Sequence, residues 1–207
     1  MKKAIIIALS CVLVFTIGII FLKYRPKKKN YNTQTFIMTN HLEDIDIEKI
    51  MELGSFRIYV EENCSIERYQ ELKNHHIEYF GIIYDKADMQ KFDDSKMDGY
   101  CYYNKQEGQL DLKAIKDIKE ETTKKIDVYS SYYPDDLKEL KQICDRLIID
   151  NLNCIDNIKK NKIEFGFLIR IEEGNYNTFN SDYISAVKKY ANAFYKGYYD
   201  FLGDSDD

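Results

Sequence analysis

Three histidines, five cysteines and 35 acidic residues are the side chains of this 207-residue sequence able to hold a metal, attack a carbonyl or move a proton. His75 and His76 are adjacent, so on a helix their side chains diverge by about 100° and cannot form the i, i+4 clamp of a zinc hydrolase. No Cys-x-x-Cys pair occurs to bind zinc or exchange disulfides. Cys144 and Cys154 fall on one predicted helix, roughly 15 Å apart along its axis and too far for a bridge; Cys64 and Cys101 form the local disulfide candidate. The stretch Asp94 to Gly99 begins like a calcium loop, but its third and twelfth positions are Lys96 and Lys105, where a hard cation needs oxygen ligands. Dinucleotide, phosphate-loop, nucleophile-elbow and zincin motifs are absent. The sequence therefore predicts no metal and no cofactor, and it leaves the catalytic residues unassigned. Any two acids can be paired as glycosidase carboxylates on paper; only their separation in space gives such a pair meaning.

Tyrosine is the unusual component, with 18 residues and clusters at 100–103, 129–133 and 190–199. Tyrosine joins apolar area to a polar tip and is enriched at recognition surfaces. Tyr100, Tyr102, Tyr132, Tyr133, Tyr195 and Tyr199 are accordingly the candidate surface for a protein partner. AT-rich codons raise Tyr together with Lys, Asn and Ile, a bland source for part of the enrichment. The absence of Trp weighs against a sugar-stacking platform.

The elements that must carry these residues follow from hydrophobic period. Residues 55–60 alternate as a half-buried strand, with Phe56, Ile58 and Val60 on one side and Arg57 and Tyr59 on the other. Ser65 suits a helix cap ahead of Ile66, Tyr69 and Leu72, and 77–84 reads as a buried strand, which together make a βαβ or split unit. A short helix is predicted near 87–92. A hairpin is predicted over 100–112 with Gly108 at its turn, followed by a helix to about Thr122 and a strand over 125–130. Pro134 suits the first turn of a long helix whose stripe runs Leu137, Leu140, Cys144, Leu147, Asn151, Cys154 and Ile158. Residues 163–171 are the strongest central-strand candidate, and Ser181 or Asp182 caps a last helix along Tyr183, Val187, Tyr190, Phe194, Tyr198 and Phe201. These elements predict one α+β domain over 36–207, mixed in strand direction.

Ahead of it, Ala4 to Leu22 carries no charge and would span roughly 28 Å as a helix, close to the bilayer core. The expectation is thus an N-terminal single transmembrane helix within residues 1–29, a short tether at 30–35, and one mixed α/β soluble domain. The span reads as an uncleaved signal anchor in the cell membrane, with the domain on the extracytoplasmic side or, by a strict count of flanking charges, on the cytoplasmic side. Lys23, Arg25, Lys27, Lys28 and Lys29 are candidate lipid-headgroup contacts. From Asn30 onward 23 basic residues face 35 acidic ones, a net charge of −12, which excludes nucleic acid as a partner of the main domain. Three functions fit: a protein-binding or cell-envelope module, an envelope hydrolase or transferase whose site assembles only in three dimensions around acids and His75 or His76, and a membrane-tethered cytoplasmic regulator.

Overall fold

The computed structural model describes residues 34–40, 42–52, 54–105, 108–134, 137–172, 175–176 and 181–190. Short runs of β-branched and aromatic residues form seven parallel strands: β1 Gln34–Thr39, β2 Arg57–Val60, β3 Glu78–Ile83, β4 Gly99–Tyr103, β5 Lys125–Tyr129, β6 Arg146–Ile149 and β7 Phe165–Glu172. Each pairs with the next, and β1 also pairs with β7 from Gln34↔Gly166 to Thr39↔Ile171, so the sheet closes on itself. Closure leaves no exposed edge among these strands. A two-residue strand, β8 Asn175–Tyr176, runs antiparallel to β7.

Parallel strands need crossover connections, and helices supply most of them: α1 Ile47–Glu52, α2 Ile66–Asn74, α3 Leu112–Glu121, α4 Lys138–Ile143 and α5 Ile155–Asn161, with α6 Ser181–Tyr190 after β8. A 3-10 segment, Lys86–Lys91, replaces the helix between β3 and β4. Local capping chemistry sets the starts of the longer helices. The Ser65 hydroxyl accepts from the Arg68 N–H at 3.1 Å, and Asp111 accepts from the Ala114 N–H at 2.9 Å.

Two apolar layers result. The outer one packs strand residues such as Ile58, Val60, Ile126, Val128, Leu147 and Phe167 against helix residues such as Leu72, Ile115, Ile118 and Ile158. The inner one fills the barrel with Phe36, Met38, Tyr59, Phe80, Ile82, Cys101, Tyr129, Ile148 and Leu168, taken from all seven strands. Gly99 makes room for it. A β-carbon there would lie 2.5 Å from the Lys125 carbonyl oxygen and overlap the Phe80 ring. Gly99→Ala is expected to destabilise the barrel by about 1–3 kcal/mol, read as a lowered urea midpoint at unchanged slope.

The closed parallel barrel corrects the predicted α+β fold of mixed strand direction. The long helix expected from Pro134 onward is interrupted: its stripe of three- and four-residue spacings runs through α4, strand β6 and α5. Leu147 belongs to that stripe only because outward positions on a strand also face the helical layer. The expected hairpin at 100–112 is a strand, a loop and the start of α3, although Gly108 does take a positive φ of 74°. The expected tether reaches only to the start of β1, where Thr35 is already fully buried. The reading of residues 55–60 as a half-buried strand is also corrected. Arg57 and Tyr59 are 2% and 0% exposed, because the face opposite the helices is the barrel interior, not solvent.

The chain divides between Asn30 and Tyr31. The run 4–22 and the lysine-rich segment with Lys23, Arg25, Lys27, Lys28 and Lys29 lie outside the described residues. Among the described residues no helix is long and apolar enough to cross a membrane. Within the described residues the transmembrane helix of the fold expectation is not found, and the signal-anchor and cell-membrane placement drawn from it is corrected to that extent.

Candidate functional site

Polar side chains enter the barrel interior at two levels. Near the strand starts, Arg57 Nε donates to Glu78 Oε2 at 2.7 Å, and its two terminal nitrogens pair with Glu78 and Asp127. Lys125 pairs with the other oxygen of Glu78, and the Tyr59 hydroxyl donates to Asp127 Oδ2 at 2.5 Å. The Arg57 guanidinium lies 4.0 Å from the Phe80 ring centroid, a cation–π contact away from water. Asp127 is fully buried, and its Oδ1 has no hydrogen-bond partner among the described residues. Burial pushes the Asp127 carboxyl up, and Arg57 and Tyr59 pull it back without cancelling that effect. Burial also opposes ionisation of Glu78, but hydrogen bonds from Lys125 and Arg57 outweigh it and hold that carboxyl below its ordinary 4.5.

The two carboxyls therefore link to pH with opposite signs. Glu78, lowered on folding, contributes stability that is fully present above 4.5 and lost as pH falls through its folded value. Asp127, raised on folding, contributes stability present at low pH and lost as pH rises through its folded value. Urea titrations below pH 4.5 should accordingly show Glu78→Gln losing less stability per pH unit than the parent, whereas parallel acid limbs would contradict this assignment.

The second level is the mouth at the carboxyl ends of the strands, where barrel enzymes of this architecture place their chemistry. Glu61 follows β2, Tyr84 follows β3, Tyr103 ends β4, Tyr129 ends β5 and Asp150 follows β6. The Tyr84 hydroxyl donates to Glu61 Oε1 at 2.6 Å, and the Tyr129 hydroxyl donates to Asp150 Oδ2 at 2.6 Å. Between them the rings touch in sequence, with centroids 5.6 Å apart for Tyr84 and Tyr103 and 4.6 Å for Tyr103 and Tyr129. The result is an arc of three tyrosines with a carboxylate at each end. Lys105 Nζ sits 3.4 Å from the Tyr84 ring centroid. Burial and the Glu61 carboxylate push the Tyr84 phenol well up, so it remains a hydrogen-bond donor across the physiological range.

Beside this arc a cleft of 240 Å³ opens between the segments that follow β5 and β6, lined by Ser131, Tyr132, Tyr133, Asn151, Asn153 and Asn157 among others. Its wall is fixed from behind. The Tyr133 hydroxyl donates to the Ile148 carbonyl at 2.7 Å and accepts from the Ser130 N–H at 3.1 Å.

The residues singled out in the sequence are distributed differently. Tyr100 and Tyr102 are 1% and 4% exposed in the outer apolar layer, Tyr100 donating to Asp94 at 2.8 Å, so their rings pack under helices. Tyr132 is exposed and Tyr133 half-buried at the cleft, while Tyr195 and Tyr199 lie outside the described residues. His75 and His76 follow α2 in the connection that feeds the start of β3, at the barrel end opposite the mouth. Cys101 is inside the barrel whereas Cys64 packs on the outer layer, and both are free, so the candidate bridge does not form. Among the described residues no cluster of His, Cys, Asp and Glu has the arrangement of a metal site. Glu61, Tyr84 and Asp150 carry no sequence signal of their own, and Tyr103 and Tyr129 fall in the tyrosine clusters at 100–103 and 129–133 without being among the candidate residues chosen there. What the five share is a polar or aromatic side chain at the end of a buried strand, which acquires meaning only once the strands are known to be parallel and closed.

The architecture defined by this register is a parallel β/α barrel with seven strands and a polar mouth. No protein-family model matches the chain, and no curated protein matches it. Among solved structures it is similar to a protein described as a dihydrodipicolinate synthetase from Pseudomonas aeruginosa, at 9% identity and a TM-score of 0.46 over 78% of this chain and 80% of that one. Phosphoribosylanthranilate isomerase from Thermotoga maritima gives 10% and 0.41 over 78% and 98%. Thiamine phosphate pyrophosphorylase from Pyrococcus furiosus gives 11% and 0.40 over 81% and 98%. All three likenesses are weak, and the barrel stands on its own strand pairing.

Proposed function

We propose that this chain is a hydrolase of glycosidic bonds in neutral carbohydrate, with Glu61 and Asp150 as its carboxylate pair. The observation that supports this reading is the arc at the mouth, in which two carboxylates, each held by a tyrosine hydroxyl, flank a continuous run of aromatic rings. A complex with bound oligosaccharide should place the two carboxyls within the roughly 5–9.5 Å of a glycosidase pair, and a wider separation overturns the pairing. Glycoside hydrolysis uses two carboxyl groups on either side of the scissile bond, and the half-buried Tyr84 and Tyr103 keep part of their rings accessible at the mouth, whereas Tyr129 is 5% exposed and serves to hold Asp150. Glu61, exposed to water, serves as the general acid: it gives its proton to the leaving oxygen as the C–O bond breaks. Asp150, half-buried against Tyr129, steadies the positive charge that develops on the sugar. Water supplies the new oxygen on the anomeric carbon, and its proton restores the acid.

The mouth also carries Glu62 and Asp85, and the chain from Asn30 onward is strongly acidic. That field disfavours phosphorylated or otherwise anionic substrates. A protein-docking role for the tyrosines is less well supported, since of the described candidates Tyr132 alone is an exposed side chain. The test is release of reducing ends from neutral oligosaccharides by the full chain, abolished by Glu61→Gln and by Asp150→Asn. Hydrolysis that survives both substitutions, or no hydrolysis of any neutral oligosaccharide, overturns the proposal.

A further inference from the structure

The cleft beside the arc differs chemically from the mouth that it adjoins. Among the described residues Ser131, Tyr132, Tyr133, Asn151, Asn153 and Cys154 are prominent in its lining, and no described lining residue is an acid or a base of the ordinary charged kind. Burial pushes the Cys154 thiol up to about 12, so it too stays neutral, with its S–H directed to the Asn151 carbonyl at 3.0 Å. Carboxamides and hydroxyls both donate and accept, which suits a ligand bearing many hydroxyl groups and no charge. Its volume of 240 Å³ lies below the roughly 300–1,000 Å³ of sites for drug-sized molecules, in the range of a single sugar ring.

The cleft is also built in advance. The Tyr132 N–H donates to Ser130 Oγ at 3.1 Å, and Ser130 Oγ accepts from Asn104 Nδ2 at 3.2 Å, which ties this loop to the end of β4. Across the cleft, Asn151 Oδ1 accepts from the Asn153 N–H at 3.0 Å and shapes the facing turn. Tyr132 keeps 43% of its surface exposed while lining the space. A large aromatic face left open beside hydrogen-bonding groups is a stacking surface for a sugar ring. Asn151 directly follows Asp150, and Ser131 lies two residues beyond Tyr129, so the cleft adjoins the Asp150 end of the arc.

We infer that this cleft is a glycosyl-binding subsite, with Tyr132 as its stacking ring and Asn153 and Ser131 as hydrogen-bonding partners to sugar hydroxyls. The inference rests on the hydrolase reading for its place in the reaction, but its binding test does not depend on turnover. Maltotetraose, cellotetraose and chitotetraose are titrated into the full chain, with Kd read by calorimetry and amide shifts followed at Ser131 and Asn153. Reducing-end release is assayed in parallel. At least one tetrasaccharide should bind and shift both amides. Tyr132→Ala should weaken it by about tenfold, and Tyr132→Phe, which keeps the ring, should restore the parent affinity. Hydrolysis of a tetrasaccharide whose Kd is unchanged in Tyr132→Ala overturns the subsite and leaves the hydrolase standing. Binding that depends on Tyr132, with no hydrolysis of any of the three, supports the subsite and overturns the hydrolase. No binding by any of them overturns the subsite.

Discussion

Asp150→Asn is expected to lower kcat for glycoside hydrolysis by roughly 100- to 1,000-fold, the range for removing one preorganised electrostatic stabiliser of a transition state, with the fold intact by circular dichroism. The substitution keeps the volume and still accepts the Tyr129 hydroxyl through the amide oxygen, but it removes the negative charge that the developing sugar cation requires. Tyr129→Phe separates positioning from charge. It leaves the carboxylate in place but frees it to rotate, so a smaller loss is expected, together with an altered pH profile of kcat/KM. Glu61→Gln should fall in the same range as Asp150→Asn, and its loss should shrink on substrates whose leaving group needs no proton. Equal loss on good and poor leaving groups would remove Glu61 from the role of acid while leaving Asp150 in place.

Arg57→Ala is the substitution expected to cost most in stability, about 3–5 kcal/mol, as when one partner of a buried ion pair is deleted. It leaves Asp127, already with one unpartnered oxygen, without its cation inside the barrel, and it removes the guanidinium from the face of Phe80. The urea midpoint of Arg57→Ala against the parent measures this, and a loss under about 1 kcal/mol would show that water or a neighbouring cation replaces the guanidinium. The double substitution Arg57→Met, Asp127→Leu should recover most of the loss, because exchanging a buried pair for apolar volume is often neutral or stabilising. Glu78 and Lys125 remain partly exposed to pair with each other at the barrel's base.

Much of the local structure was legible in the chain. The Ser65 cap, the α2 helix and its flanking strands β2 and β3 follow from capping chemistry and hydrophobic period, and so do β5, α3, the core of β7 and the start of α6. Each depends on contacts within a few residues, and such contacts are written in the order of the sequence. What the sequence determined by itself is this set of elements, together with the acidity of the chain and the absence of any standard catalytic motif.

Closure was decided elsewhere. It needs β1, hidden in a polar lead-in, and β6, whose RLII run shares the period of the helices on both sides, and both strands are fixed by hydrogen bonds to partners distant in sequence. The inward face of a barrel strand is polar or apolar according to what meets it across the interior. Arg57 therefore reads as a solvent-facing residue until Glu78 and Asp127, 21 and 70 positions away, are seen to surround it. The carboxylates of the candidate site were hidden for the same reason. Glu61 and Asp150 are two acids among 35 in the sequence, and only the parallel closure of the strands brings them to one mouth at either end of a tyrosine arc.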